Sequence, residues 1–123
     1  MNKKLYVAAL ALALAMVLAL PVFAATSHAS INSSSGTYAN GNAVTAYSAG
    51  QGSGINDSIS VSSMTGNLRR HSDGAVVSAS GFSAAPGHAG AGSTVSLMGT
   101  GKYKVFISFG SGPCKGEGWG DFS

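Results

Sequence analysis

The segment Lys102-Tyr103-Lys104-Val105-Phe106-Ile107-Ser108-Phe109 carries the clearest structural signal in this 123-residue chain. Large apolar residues recur at every second position and fall on one side of an extended backbone: Tyr103, Val105, Ile107 and Phe109. Polar residues fall on the other side: Lys102, Lys104 and Ser108. Alternation with period two is the pattern of a half-buried strand. The segment therefore predicts a strand with one face in a core and one in solvent.

Four shorter segments upstream also have strand character. They are residues 43–48, 58–62, 75–80 and 94–98. Turn residues separate them, at Thr65-Gly66-Asn67 and Ser72-Asp73-Gly74, and Gly99-Thr100-Gly101 predicts a hairpin before the last strand. No window has the helical i, i+3, i+4, i+7 period. The pattern predicts an all-β chain, folded as a small antiparallel β-sandwich or barrel-like domain.

The N-terminal segment has the anatomy of a secretory signal peptide. Lys3 and Lys4 precede sixteen uncharged residues, Leu5 to Leu20, and Pro21 then breaks the apolar helix. Val22 and Ala24 place small side chains at positions −3 and −1 of a cleavage site. We therefore expect a signal helix over residues 1–24, cleavage before Ala25, and a secreted, extracellular product.

Composition divides the remainder of the chain into three parts. Residues 25–35 are small and polar and predict a flexible leader, residues 36–110 hold the predicted β-domain, and residues 111–123 predict a loose Gly-rich tail. Two internal glycine clusters, Gly50 to Gly54 and Gly87 to Gly92, predict flexible connections. Every one of the 18 glycines lies at or after Gly36.

Low charge and a small apolar content limit the function classes. Charged residues make up 9% of the chain, against about 25% in an average protein. The 99 residues after the predicted cleavage site contain 20 Ser and 18 Gly but only 16 Leu, Ile, Val and Phe. Their net charge is about +1, because Lys3 and Lys4 leave with the signal peptide. These values exclude a large enzyme, a helical bundle and a strongly basic nucleic-acid binder.

Catalytic and metal-binding motifs do not emerge from the spacing of reactive residues. The three histidines, His28, His71 and His88, have no metal-ligand spacing. No serine lies in the Gly-x-Ser-x-Gly turn that exposes a nucleophile. The alternating glycines at 50–54 and 116–120 lack the spacing of a phosphate-binding loop. We expect a non-enzymatic protein without a cofactor or a bound metal.

Four basic residues and one cysteine are the candidate contact residues. If Arg69, Arg70, Lys102 and Lys104 converge, they form a cationic patch suited to anionic cell-wall polymers or lipid phosphates. The alternative is a solvated turn and the outer face of an edge strand, where lysine discourages aggregation. Cys114 is the only cysteine, so it is a candidate for an intermolecular disulfide or else an incidental thiol.

The arrangement resembles the lactococcin 972 family of secreted bacteriocins over about residues 36–82. The resemblance rests on the signal peptide and on short motifs: the opening Gly36-Thr37-Tyr38, the pair Tyr47-Ser48, the alternating Ser58–Val61, the Thr65-Gly66 turn and the alternating segment from Gly74. The family usually has a Trp where this chain has Tyr38, and a His where it has Asn56-Asp57. The resemblance implies a small β-sandwich without catalytic residues that acts on a lipid-linked cell-wall precursor and blocks septum formation.

Two functions from different classes follow. The first is a bacteriocin-like protein that binds a component of the envelope of competing bacteria. The second is a structural, self-assembling protein of the cell surface or extracellular matrix, joined through edge strands or through Cys114. Neither function calls for nucleic acid, a cofactor or a membrane span in the mature chain.

Overall fold

The computed structural model describes residues 24–32 and 36–123, and these residues form β-strands without a helix. The strands are β1 (Ala25–Ile31), β2 (Tyr38–Asn40), β3 (Val44–Ala46), β4 (Ala49–Asn56), β5 (Met64–Arg70), β6 (Phe82–Ala84), β7 (Ala89–Ala91), β8 (Val95–Ser96), β9 (Gly101–Phe109) and β10 (Gly116–Phe122). The prediction of an all-β fold is confirmed for these residues. Residues 1–23 of the predicted signal helix lie outside the described part.

The strands form two five-stranded antiparallel sheets that pack face to face. The first sheet has the order β1-β10-β4-β7, and β8 pairs with β4 beside β7. The second sheet has the order β2-β9-β5-β6, and β3 pairs with β9 beside β2. Strands β10 and β9 therefore lie inside their sheets, each between two neighbours.

Strand β9 supplies the centre of the core, as its alternation predicts. Tyr103, Val105 and Ile107 are fully buried and Phe109 is nearly so. Leu68 and Met64 from β5, its neighbour in the second sheet, are also fully buried. The large apolar side chains of the core thus come mainly from the second sheet.

The inner face of the first sheet is lined with glycine instead. Six of the eight inward positions of its two central strands are glycine, and the other two are Asn56 and Phe122. The glycines are Gly50, Gly52 and Gly54 in β4 and Gly116, Gly118 and Gly120 in β10. A Cβ atom built on Gly52 would lie 2.6 Å from two ring atoms of Phe82, a separation that real Cβ atoms do not show. The glycines make room for side chains that reach across from the second sheet.

The predicted flexible leader and loose tail are wrong. Residues 25–31 form β1, which pairs with β10 over its whole length, from Ala25 opposite Phe122 to Ile31 opposite Gly116. On its other side β10 pairs with β4, from Gly116 opposite Asn56 to Phe122 opposite Gly50. The alternating glycines at 50–54 and 116–120 predict flexible segments. In the structure they lie at inward positions of β4 and β10, where the facing sheet leaves too little room for a side chain.

Two predicted strands are also wrong, because local polar groups hold the backbone in turns. At 58–62, the Asp57 carboxylate accepts a hydrogen bond from the Ile59 N–H at 3.0 Å, and Ser60 N–H bonds back to the Asp57 carbonyl. At 75–80, the buried Ser80 hydroxyl donates to the Val77 carbonyl and accepts from Leu68 N–H, leaving a single bridge between Val76 and Arg69. These bonds replace ladder hydrogen bonds.

Some of the remaining predictions of turns and strands agree with the structure and others do not. Ser72-Asp73-Gly74 is a turn, and Gly74 has a φ of +72°, as predicted for this residue type. Thr65-Gly66-Asn67 is not a turn but lies inside β5. The hairpin at Gly99-Thr100-Gly101 is wrong, because β8 belongs to the first sheet and β9 to the second. Segments 43–48 and 94–98 contain the shorter strands β3 and β8.

We expect Gly52→Ala to destabilise the mature chain by about 1–3 kcal/mol, the usual cost of overpacking a core. The added methyl group collides with Phe82. The matched control is Gly110→Ala, where a Cβ meets nothing within 4 Å. Urea unfolding measures both variants. Adding Phe82→Leu to Gly52→Ala should recover part of the loss. Equal effects at the two glycines would contradict the packing described.

Candidate functional site

The outer face of the second sheet gathers three of the four basic residues singled out in the sequence. Arg69 in β5 lies directly opposite Lys104 in β9. Their neighbours Leu68 and Val105 are buried, so both cationic side chains belong to the outer face. Lys102 lies two positions before Lys104 and therefore on the same face of β9. We name Arg69, Lys102, Lys104, Phe106 and Tyr38 the cationic face.

Aromatic side chains hold the guanidinium of this face in place. The Arg69 guanidinium carbon lies 3.6 Å from the centroid of the Phe106 ring. Its Nε donates a hydrogen bond of 2.9 Å to Asn67 Oδ1. On the adjoining strand, the Tyr38 ring stacks on Phe106 at 6.1 Å and is 65% exposed. A cation above an aromatic ring is attracted to it, so Arg69 is positioned before any ligand arrives.

The charges of the cationic face are not neutralised within the fold. In residues 24–32 and 36–123, no carboxylate forms an ion pair with Arg69, Lys102 or Lys104. Like charges on directly opposite residues of two strands repel each other. An anion that binds between Arg69 and Lys104 relieves this repulsion, and a planar guanidinium donates two parallel hydrogen bonds to phosphate or carboxylate. The arrangement is suited to binding an anion beside an apolar group.

Arg70 does not share this face. Its Nε donates a 3.0 Å hydrogen bond to Asp73 Oδ1, and its terminal Nη2 pairs with Asp73 Oδ2. The hydrogen bond from Arg70 and one from the Ala75 N–H lower the pKa of Asp73 to about 2, and the same carboxylate raises the pKa of Arg70. The fourth predicted contact residue is therefore paired inside a turn.

Cys114 lies in the interior and not in an exposed tail. Its side chain is 1% exposed, and the thiol donates to the Gly36 carbonyl oxygen at 3.4 Å. Ordinary disulfide geometry needs the Cα atoms of two cysteines within about 7 Å. A disulfide to a second chain at Cys114 would therefore require this part of the sandwich to open.

The opposite side of the sandwich has an aromatic residue within the segment predicted as a loose tail. Trp119, read as part of a loose tail, lies on β10 and stacks on His28 of β1 with ring centroids 5.3 Å apart. Glu117 Oε1 lies 3.3 Å from His28 Nε2. The alternation Glu117-x-Trp119-x-Asp121, with glycine between, was the signal that identifies an outward row on a strand.

Two open cavities lie on this side. One, of about 410 Å³, has Trp119 and Ile55 as walls and a floor of small residues: Ser53, Gly54, Ala89, Gly90 and Ala91. The other, of about 440 Å³, includes Asp57, Lys115 and Glu117 at the end of the first sheet. Within the described ranges, no three His, Cys, Asp or Glu residues gather as metal ligands.

Comparisons with family models, with curated proteins and with solved structures return no match for this chain. Across residues 24–32 and 36–123, no helix is long and apolar enough to cross a membrane.

We expect Asp73 to titrate at about pH 2 in the folded chain, below its ordinary pKa of 3.8. A lowered folded-state pKa means that the Arg70 interaction stabilises the fold above the ordinary pKa and that this contribution is lost as the pH falls through about 2. Arg70→Gln should return the pKa of Asp73 toward 3.8. NMR titration of the carboxyl carbon measures both, and equal midpoints would contradict the pairing.

We expect the Cys114 thiol to react slowly with a soluble thiol reagent while the chain is folded, because the side chain is buried. The same reagent should label the thiol rapidly in denaturant. Mass spectrometry of timed samples measures the two rates. Rapid labelling of the folded chain, or a dimer on non-reducing gels that reductant removes, would show an accessible thiol.

Proposed function

We propose that this chain is a secreted, non-enzymatic bacteriocin of the lactococcin 972 type, which acts on the cell envelope of competing bacteria through its cationic face. The observation that carries the proposal is the unneutralised pair Arg69 and Lys104, held beside Phe106. The resemblance over residues 36–82 supplies the class of target, an envelope component such as a lipid-linked cell-wall precursor.

The chemistry of the face favours an anionic target with an apolar part. Arg69, Lys102 and Lys104 supply three positive charges on neighbouring positions of two strands. Phe106 and Tyr38 supply apolar area next to those charges. Envelope polymers and lipid-linked precursors carry phosphate groups, and guanidinium and ammonium groups bind phosphate through charge-assisted hydrogen bonds.

The predicted maturation step is compatible with this fold. Cleavage before Ala25 removes none of the described strands, because the first of them, β1, begins at Ala25. The backbone N–H of Ala24 donates a hydrogen bond of 2.9 Å to the Phe122 carbonyl, and cleavage removes this bond. The product keeps β1 paired with β10 and the first sheet complete.

The side chains of the cationic face favour binding over catalysis. Arginine, lysine and phenylalanine hold and orient an anion, whereas hydrolysis needs a nucleophile with an adjacent base or a positioned pair of carboxylates. The chain's best-defined side-chain pair near the face, Arg70 with Asp73, is used within a turn. We therefore propose sequestration of the target as the mode of action.

The proposal is tested by adding purified residues 25–123 to cultures of related bacterial strains and measuring the inhibition of growth. We expect inhibition by the parent chain and at least a tenfold loss of potency, about 1.4 kcal/mol of binding, in Arg69→Gln/Lys104→Gln. The matched control, Arg70→Gln/Asp73→Asn, removes charges that are already paired and should keep the parent potency. Circular dichroism and thermal unfolding confirm that each variant folds.

Two results would overturn the proposal. One is the absence of inhibition across a broad panel of strains. The other is full potency in the folded Arg69→Gln/Lys104→Gln variant. Co-sedimentation with vesicles that contain a lipid-linked precursor, and separately with cell walls that retain their anionic polymers, identifies which envelope component the face binds. In both cases binding should weaken as salt rises, because it depends on charge.

A further inference from the structure

The charges of this sandwich are sorted between its two outer faces. The cationic face has three unneutralised positive charges, Arg69, Lys102 and Lys104. The outer face of the first sheet has Glu117 and Asp121 on β10, and at its end Asp57 and Lys115 line one cavity with Glu117. Arg70 and Asp73 neutralise each other, and Lys115 offsets the charge of Asp57 in the cavity that both line. Glu117 and Asp121 therefore leave the outer face of the first sheet net negative, whereas the cationic face is net positive. We name Glu117, Trp119, Asp121 and Ile55 the acidic face.

An outward row of three residues, of which Glu117 is exposed and the other two are half-buried, runs along the middle of the acidic face. Glu117, Trp119 and Asp121 alternate on β10 with buried glycines, so all three side chains point away from the core. One side of the Trp119 indole stacks on His28. Beside Trp119 lies the cavity of about 410 Å³, which Ile55 lines together with small residues of β4 and β7.

The cationic face has a row of the same spacing. Lys102, Lys104 and Phe106 alternate on β9, with Tyr103 and Val105 buried between them. Alternate residues of a strand are about 7 Å apart in both rows. Sheets that pack face to face keep their strands within about 30° of each other. Two copies that stack one face on the other can therefore bring the two rows alongside each other.

We propose that the acidic face binds the cationic face of a second copy of this chain. Lysine ammonium groups then lie near the Glu117 and Asp121 carboxylates and beside Trp119, the aromatic ring type that attracts cations most strongly. Apolar contact comes from Ile55, which is 50% exposed, on one face and from Tyr38, which is 65% exposed, on the other. Aromatic residues of this kind are the usual anchors of an interface.

A second copy is the occupant that the charges favour over an unrelated cationic protein. The chain itself presents cations and aromatic side chains at the spacing of the acidic row, and each copy has both halves of the contact. Because the two halves differ, the contact is head-to-tail, and every added copy exposes a new face of each kind. Association therefore produces stacks that grow with concentration and shorten with salt.

The inference does not rest on the bacteriocin function. It uses the cationic face, so a copy and an anionic envelope component compete for Arg69 and Lys104. Growth inhibition and self-association are separate measurements, and each is informative whatever the other gives. A polyanion added to stacked protein should dissociate it, whereas a neutral polymer at equal concentration should not.

Sedimentation velocity tests the proposal on residues 25–123 and on two charge-reversed variants. Each is measured at low salt over a range of protein concentrations. Glu117→Lys/Asp121→Lys makes both faces positive, and Lys102→Glu/Lys104→Glu makes both faces negative while it keeps Arg69 on Phe106. We expect the parent chain to sediment as growing stacks and each variant alone as a monomer. An equimolar mixture of the variants should recover the parent's mass, because the reversed faces complement each other.

Thermal unfolding confirms that both variants fold, and all the substituted side chains lie on outer faces. A parent chain that stays monomeric at every concentration and salt would overturn the proposal. So would association that persists in either variant alone, since this would place the contact on other surfaces. Folded variants whose mixture remains monomeric would also overturn it, because the loss would then not reflect pairing between these two faces.

Discussion

Close approach of two sheets, one lined with glycine, is the constraint on which this structure depends. Gly52 and Gly54 of the first sheet and Gly66 of the second surround the ring of Phe82, and a methyl group on Gly52 or Gly66 would strike it. The core therefore consists mainly of large side chains from the second sheet set against glycine backbone of the first, to which the first sheet adds Phe122 and Ile31. A chain with few large apolar residues can bury them in this way, because much of their surface packs against backbone and does not need a large side chain opposite. The glycine content that resembles disorder in the sequence is thus a packing requirement.

Strands were predictable where large apolar residues alternate with polar ones, and not where glycine takes their place. In β9 the alternation of Tyr103, Val105 and Ile107 indicates both the strand and its buried face. In β4 and β10 the inward positions are glycines, so no hydrophobic period marks them. Conversely, Ile59 and Val61 alternate correctly yet are exposed, because the Asp57 carboxylate caps a turn there. Whether these segments form strands depends on local hydrogen bonds and on the space left by the facing sheet. The periodicity of the sequence contains neither.

The candidate site was partly predictable, because alternation within one strand can be read from the sequence whereas the register between two strands cannot. The alternation of β9 places Lys102 and Lys104 on one outer face, but that Arg69 lies opposite Lys104 depends on the register between β5 and β9. Arg70 is the next residue after Arg69, so its side chain leaves the strand on the opposite face. There the Arg70 guanidinium donates a hydrogen bond to Asp73. Trp119 was assigned to a loose tail, because glycines flank it on both sides. Once those glycines are recognised as inward positions, Glu117, Trp119 and Asp121 become an outward row.

Strand β10 lies inside the first sheet, between β1 and β4, although it follows all the other described strands in sequence. Neither β1 nor β4 has its main partner until β10 has been synthesised, so a growing chain holds two unpaired edges of one sheet. Such long-range pairing is slow to form, because the entropy cost of closing a large loop comes before the hydrogen bonds between the strands can offset it. A chain shortened before Gly116 would leave β1 without a partner strand in the described part of the chain and one edge of β4 unpaired.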